Sequence, residues 1–186
     1  MGPLKLMSAV LQRCEALMLQ SKVQFVLSHS HADARGALDR EPFQPALIGE
    51  DTLVAVSAPD KVGAPQHPQS RRRRSTVPIL ACTSESGLGR IVQAATGHRL
   101  EPIPVETVLT AHLASVLRTM VLDGRGIAWL PRTLIDDDLV SGRLVAAAGP
   151  DWLVPLEIRL YRDAPAQGQA REAFWSSAAR APSAPA

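Results

Sequence analysis

The sequence predicts an α/β fold, and three observations carry that prediction. Helix-length amphipathic stretches alternate with strand-length apolar runs, with no internal repeat. The segment Met120 to Val145, MVLDGRGIAWLPRTLIDDDLVSGRLV, punctuates that alternation with Gly before a short apolar strand and Pro just after it. Apolar residues make up 46% and charged residues 20%, which marks a globular chain rather than a disordered one. At 186 residues it is long enough for one domain or two small lobes around a sizeable core.

The elements follow in order. Leu4 to Met7 reads as a short strand. Ala9 to Gln20 reads as a helix, because Val10, Leu11, Cys14, Leu17 and Met18 recur at spacings of three and four. Val23 to Ser28 is the next strand, and this strand–helix–strand grammar points to a parallel sheet covered by helices. His29 to Pro42 is polar and turn-rich, so it reads as a loop. Ala46–Ile48 and Thr52–Ser57 read as a strand pair around Gly49-Glu50-Asp51. Asp60 to Thr76 is irregular. Val77 to Cys82 is a strand, and Thr83-Ser84-Glu85-Ser86-Gly87 leads into a helix from Leu88 to Ala95 that stops at Gly97. Ile103 to Val108 is a strand that Pro102 and Pro104 place at an edge. Thr110 to Leu122 is a helix with Leu113, Val116, Leu117, Met120 and Val121 on one face.

After Asp123-Gly124-Arg125-Gly126 comes the strand Ile127 to Leu130. Pro131 opens a helix that closes at Ser141-Gly142, and Arg143 to Ala147 is a strand. Trp152 to Tyr161 is a long strand, and Arg171 to Ala179 the last helix, followed by a frayed Ala/Pro/Ser tail.

Composition excludes several functions. A formal charge of +2 is too small and scattered for nucleic-acid binding by electrostatics alone. The run Arg71 to Arg74 lacks interleaved aromatics and reads as a solvated loop. Cys14 and Cys82 form neither a metal-ligand pair nor a disulfide framework, which fits a reducing, cytoplasmic compartment. The N-terminus has no continuous apolar core of a signal peptide, and no run is long enough to span a bilayer. No nucleophile elbow, helical His pair, Walker loop or Rossmann fingerprint appears, so the chain reads as no enzyme, with no cofactor and no metal.

The order of Gly, short strand, Pro, helix and Ser-Gly in Gly124 to Val145 closely resembles the effector-binding domain of LysR-type bacterial transcription regulators. Other segments resemble the same pattern. Leu11 to Ser28 is similar to the helix and strand in which the family usually has "leu-x-x-gly-x-x-asp", with Gln20 or Ser21 here in place of Gly and Gln24 in place of Asp. Leu47 to Pro59 resembles its return strand pair, Val77 to Arg90 its entry into the second lobe, and Leu156 to Phe174 its return strand and closing helix. Val23 to Asp39, VQFVLSHSHADARGALD, is similar to a hypochlorite-responsive subgroup.

The resemblance implies a type 2 periplasmic-binding-protein-like fold of two lobes joined by two crossover segments. Lobe I would be residues 1–77 and 159–186, the latter with the C-terminal tail, and lobe II residues 78–158. On this pattern the first strand and helix of lobe I should precede Leu4. So should the winged helix-turn-helix, through which alone DNA would be bound. The implied partners are a small-molecule effector in the interlobe cleft and further copies of the chain, as a homodimer or tetramer that uses the helix Ala9–Gln20. A stand-alone solute-binding protein of the same fold and a small α/β enzyme are the alternative readings.

Candidate ligand contacts come from three places. Thr83 and Ser84 stand at a strand-to-helix turn, where free N–H groups and a partial positive charge favour anions. Plain N-capping by Ser84 or Ser86 explains the same residues without a ligand. His29, Ser30 and His31 follow a strand end, where ligands gather in open α/β sheets. With only Asp33 nearby they read as a loop before a metal site. Gly126 and Ile127 sit where the family's chain approaches the effector, with Gly124 and Gly126 supplying φ > 0. Cys82 would sense oxidants if the following helix lowered its thiol pKa, and otherwise reads as inert packing. Met7, Met18 and Met120 read as packing too.

Overall fold

The computed structural model describes residues 5–68, 76–163 and 168–179. The Arg71–Arg74 run lies outside the described residues. The chain folds as two units. Unit 1 takes residues 1–50 and 156–186, and unit 2 is the continuous stretch 51–155. The division falls within β2 (Phe43–Ser57) and near the start of β7 (Val154–Asp163).

Unit 1 is built on α1 (Leu11–Leu19), β1 (Phe25–Ser30), a 3-10 turn at Ala37–Asp39 and α5 (Gln169–Ala178). Residues 5–7 are irregular, so the strand expected over Leu4–Met7 is not seen among them. β1 pairs antiparallel with β7, Phe25 facing Arg162 and Ser30 facing Glu157. The expectation of a parallel partner fails here because that partner is the returning chain rather than the next strand. The core gathers Met18, Val26, Leu38 and Tyr161, with Leu11, Cys14, Val23 and Phe43 around it. α5 is fastened by Phe174 on Phe25 at 4.8 Å and by the Arg162 guanidinium over Trp175 at 4.4 Å.

α1 ends where Lys22 N–H donates to Leu17 O and Ser21 N–H to Met18 O, with Ser21 at φ +53°. This is a Schellman cap with serine at the position that favours glycine.

Unit 2 contains the second half of β2, β3 (Val77–Cys82), α2 (Gly87–Leu100), β4 (Val105–Ala111), α3 (Ala114–Leu122), β5 (Ala128–Pro131), α4 (Arg132–Val140) and β6 (Val145–Ala146). β2 pairs antiparallel with β5, from Leu53–Pro131 to Val56–Ala128, and with β6. β3 and β4 pair in parallel, Val77 with Val105 and Cys82 with Ala111. Val54, Val56, Leu80, Leu117, Val121, Leu130, Ile135 and Leu144 form its core.

Three expectations change in unit 2 and at its border. Gly49-Glu50-Asp51 is no turn. β2 runs straight through it, and the Asp51 side chain, 3% exposed, works as a tertiary cap described below. α2 continues through Gly97 to Leu100, since Gly only weakens a helix. Thr110 and Ala111 end β4 rather than open α3. On the α3 face Leu117 and Val121 are buried, while Leu113 and Val116 are 58% and 41% exposed. The punctuation read from Gly124, Pro131 and Gly142 is seen as expected. Gly124 and Gly142 have φ +72° and +71°, and Pro131 stands at the N-cap of α4. Among the described residues no helix is long and apolar enough to cross a membrane.

Candidate functional site

In unit 2 the site begins at the ends of two strands. β3 and β4 are parallel and in register at Cys82–Ala111, so the next residues, Thr83 and His112, emerge side by side. Thr83 N–H donates to Ala111 O at 3.1 Å, and Thr83 Oγ1 lies 2.9 Å from His112 Nδ1. Glu85 Oε2 is 3.7 Å from the same ring nitrogen. Ser84 and Glu85 are exposed, whereas Ser86 is buried.

Ser86, not Ser84, caps α2. Its hydroxyl accepts from Gly89 N–H at 3.0 Å and donates to Thr83 O at 2.9 Å. Capping therefore accounts for Ser86 and leaves Thr83 and Ser84 without that explanation. Gly89 lets the helix approach the turn. A Cβ there would stand 2.0 Å from Thr83 O, a distance no side chain tolerates. Arg90 Nε donates to Ser84 O at 3.4 Å. The Cys82 thiol beside this turn is pushed up by burial, with a smaller opposing effect from its hydrogen bond to Ser86. Burial thus works against a thiolate at Cys82, and the Cys14 thiol is likewise raised by burial.

Gly126 and Ile127 have a different place from the one expected. Ile127 is fully buried, donates its N–H to Pro78 O at 2.9 Å, and accepts from Leu80 N–H at 2.8 Å. Its side chain belongs to the core and its backbone to β3. Gly126 has no left-handed φ. It is required because a Cβ would come within 2.6 Å of Pro78 O. Only Gly124 of the pair supplies φ > 0. It completes a Schellman cap in which Gly124 N–H donates to Val121 O and Arg125 N–H to Met120 O.

In unit 1 His29 and Ser30 are the last residues of β1, so the strand runs two residues further than its apolar stretch. His29 is half-buried and Ser30 buried. His31 Nδ1 accepts from Asp33 N–H at 3.1 Å, which closes a local turn. A pocket about the size of one water molecule opens here, lined by Ser28, His29, Ser30, Glu15, Asp39 and Tyr161 among others. Tyr161 Oη donates to Asp39 Oδ1 at 2.8 Å, and Arg159 Nη1 approaches the same oxygen at 3.2 Å. Burial pushes the Tyr161 phenol up, a hydrogen bond from Ser30 opposes the rise, and Asp39 adds to it, so the phenol stays a donor. Glu15 Oε1 accepts from Ala37 N–H at 3.1 Å, joining α1 to the 3-10 turn. Among the described residues no group of three or more His, Cys, Asp or Glu side chains is placed to hold a metal ion.

Sequence reasoning missed His112, Asp51 and Asp138. His112 was visible only through the strand register that sets it beside Thr83. Asp51 accepts from Thr133 Oγ1 at 2.5 Å and from Thr133 N–H at 3.3 Å, capping α4 from a distant strand. Asp138 is wholly buried between Arg118 Nε, at 2.5 Å, and Arg143 Nη2, tying α3 and α4 to the turn before β6. The bond to Asp138 holds the Arg118 guanidinium firmly protonated.

Comparison with known proteins now gives these positions a family. The family model for the LysR substrate binding domain matches residues 4–182. The chain is 27% identical over 134 residues to the HTH-type transcriptional regulator YjiE of Escherichia coli (strain K12), covering 72% of this chain and 43% of that one. It is equally 27% identical over 134 residues to the HTH domain-truncated transcriptional regulator QseD of Escherichia coli O157:H7, covering 72% and 54%. The chain thus spans about half the length of the curated relatives it matches. Among solved structures, the apo regulatory domain of HypT from Salmonella typhimurium superposes with a TM-score of 0.79 at 22% identity, covering 91% of this chain and 78% of that one. Full-length HypT is described as a hypochlorite-specific LysR-type transcriptional regulator. The α/β fold is that of LysR regulatory domains, the type 2 periplasmic-binding-protein-like fold, and the chain belongs to the LysR substrate-binding domain family, whose members are transcription regulators rather than enzymes.

Proposed function

We propose that this regulatory domain senses a small anionic effector through the Thr83–Ser84 turn, and so modulates DNA binding by a winged helix-turn-helix. The observation that carries the reading is the division of labour at the N-terminus of α2. Ser86 makes the cap, while Thr83 and Ser84 carry hydroxyls at the C-terminal ends of two parallel strands, beside the first turn of α2. His29, Ser30 and His31 of unit 1 are the second group of proposed contacts. Gly126 and Ile127 support the site from behind β3, one through its lack of a side chain and the other through its backbone bonds. Coupling to DNA requires the effector to bind one conformation of the regulator better than another. The proposed assembly is a homodimer that uses α1, on which Leu19 is 61% exposed.

The test is a thermal-shift screen of small carboxylates and other anions against the chain, repeated with Ser84→Ala and Thr83→Val. A hit whose stabilisation falls in both variants supports the reading. A hit that is indifferent to both overturns the site. Light scattering checks the assembly, and a monomer at micromolar concentration rules out the homodimer.

The likeness to HypT favours a second reading, in which an oxidant such as hypochlorite is the signal. The raised thiols of Cys14 and Cys82 direct that reading away from thiolate chemistry. Mass spectrometry after hypochlorite treatment distinguishes it, the expected products being methionine sulfoxides rather than oxidised cysteines.

A further inference from the structure

We infer that the recess of unit 1 between α1, the end of β1 and the 3-10 turn is a site for one water-sized hydrogen-bond donor, a water molecule or an ammonium group. Nothing in this depends on the Thr83–Ser84 turn.

Size sets the first limit. The space open to water centres is about 10 Å³, which is room for one molecule. Glu15 of α1, Ser30 of β1, Asp39 of the 3-10 turn and Tyr161 of β7 supply polar walls, and Leu11 and Leu38 supply apolar ones. Glu15 is 7% exposed, Ser30 5% and Tyr161 2%. Small cavities with such a polar lining take up a guest that hydrogen-bonds to it, whereas apolar ones stay dry.

The direction of the surrounding hydrogen bonds sets the second limit. The Tyr161 phenol has one proton, and it goes to Asp39 Oδ1 at 2.8 Å, because a carboxylate only accepts. The bond between Ser30 and Tyr161 therefore runs from the Ser30 hydroxyl to Tyr161 Oη. That spends the Ser30 proton as well, and leaves Ser30 Oγ with lone pairs. Asp39 accepts from Gly36 N–H through its other oxygen, and Glu15 accepts from Ala37 N–H. The Arg159 guanidinium is divided between Asp39 and Glu157. The side-chain oxygens of Glu15, Ser30 and Asp39 thus meet a guest as acceptors. Ser28 and His29 complete the wall and are only half-buried, so solvent reaches them too. Chloride or a carboxylate would face lone pairs and negative charge here. Water and ammonium bring protons to them, and either guest would join α1 to β1 and β7.

The experiment uses the full chain in two arms. In the first, ammonium chloride replaces sodium chloride at constant ionic strength, and the amide resonances of Ser30, Ala37 and Asp39 are followed by NMR. Tetramethylammonium chloride is the control, since it carries the charge but no N–H and is too large to enter. The second arm is a crystal structure grown without ammonium or amines. Saturating shifts with ammonium, absent with tetramethylammonium, identify an ammonium site. No ammonium-specific shift, together with an ordered water within hydrogen-bond distance of Ser30 Oγ and of Glu15 or Asp39, identifies a water site. Ser30→Val puts methyl groups into the recess and should abolish either signal.

A recess that shows neither guest overturns the inference. So does chloride found in it, or either signal persisting unchanged in Ser30→Val. Should that variant not fold, the two measurements on the wild-type chain still decide.

Discussion

Asp51 and Thr133 lie 82 residues apart, yet the Thr133 hydroxyl donates to the Asp51 carboxylate at 2.5 Å. The same carboxylate takes the Thr133 N–H, so α4 is capped by a residue of β2 rather than by a neighbour in sequence. A strand residue thereby does the work usually done by Ser or Asp at the N-cap, where Pro131 stands and offers no side-chain acceptor. Asp51→Ala is expected to cost about 2 kcal/mol, because it strips part-buried donors of a charged, buried acceptor. Thr133→Val should cost about 1 kcal/mol, and the double variant less than the sum. Urea denaturation of the four proteins measures the coupling, and strict additivity would mean that the pair does not act as a unit.

Ser21 gives the opposite kind of prediction. Its φ of +53° is a conformation that Cβ opposes at roughly 1 kcal/mol. Ser21→Gly should therefore raise stability by up to about 1 kcal/mol, seen as a higher urea midpoint with an unchanged slope.

Two glycines of α2 should answer the same substitution with opposite signs. At Gly97 a new Cβ meets only the end of the Gln93 side chain, which can move aside, so helix propensity dominates. Gly97→Ala should stabilise by up to about 1 kcal/mol. At Gly89 the obstacle is the Thr83 carbonyl at 2.0 Å. Gly89→Ala should destabilise by about 2 kcal/mol and shift the Thr83 and Ser84 amide resonances. A stabilised Gly89→Ala protein would show that the turn is free to move away.

Burial raises both thiols, so the folded chain holds those protons more tightly than the unfolded chain. The sign follows from linkage. This contribution is fully present below about pH 8.5, the ordinary thiol value, and is lost as pH rises through the raised folded values. Alkylation by iodoacetamide at pH 7 should run slower than for an unstructured cysteine peptide, and stability should fall as pH rises above about 9. A burst of labelling at neutral pH would contradict the burial of both groups.

Much of the fold was legible because its signals are local. Gly124, Pro131 and Gly142 mark their turns through backbone rules that act within a few residues, and β3 follows a plain apolar run. What could not be read depends on partners distant in sequence. Gly49-Glu50-Asp51 has the composition of a turn, and only the arrival of α4 gives Asp51 a reason to lie in a strand. Thr110 and Ala111 satisfy a helical pattern, and pairing with β3 draws them into β4. The direction of β1 is set by β7, which the strand–helix–strand grammar does not foresee. Of the proposed contacts, Thr83 and Ser84 stand where a strand-to-helix turn was expected. Ile127 lies in the core, because an apolar residue next to a close-packed glycine is drawn inward whatever its neighbours contact.

The composition of unit 1 from two ends of the chain has a consequence for biosynthesis. Arg159 and its partner Asp39 are 120 residues apart, and β1 pairs with the same returning strand. On the ribosome, β1 therefore leaves the exit tunnel long before β7 exists to cover its edge. Unit 2, being continuous, is complete earlier. The segment around β1 is therefore made before unit 2 and yet matures after it, and for that interval its apolar residues are the ones a chaperone would meet.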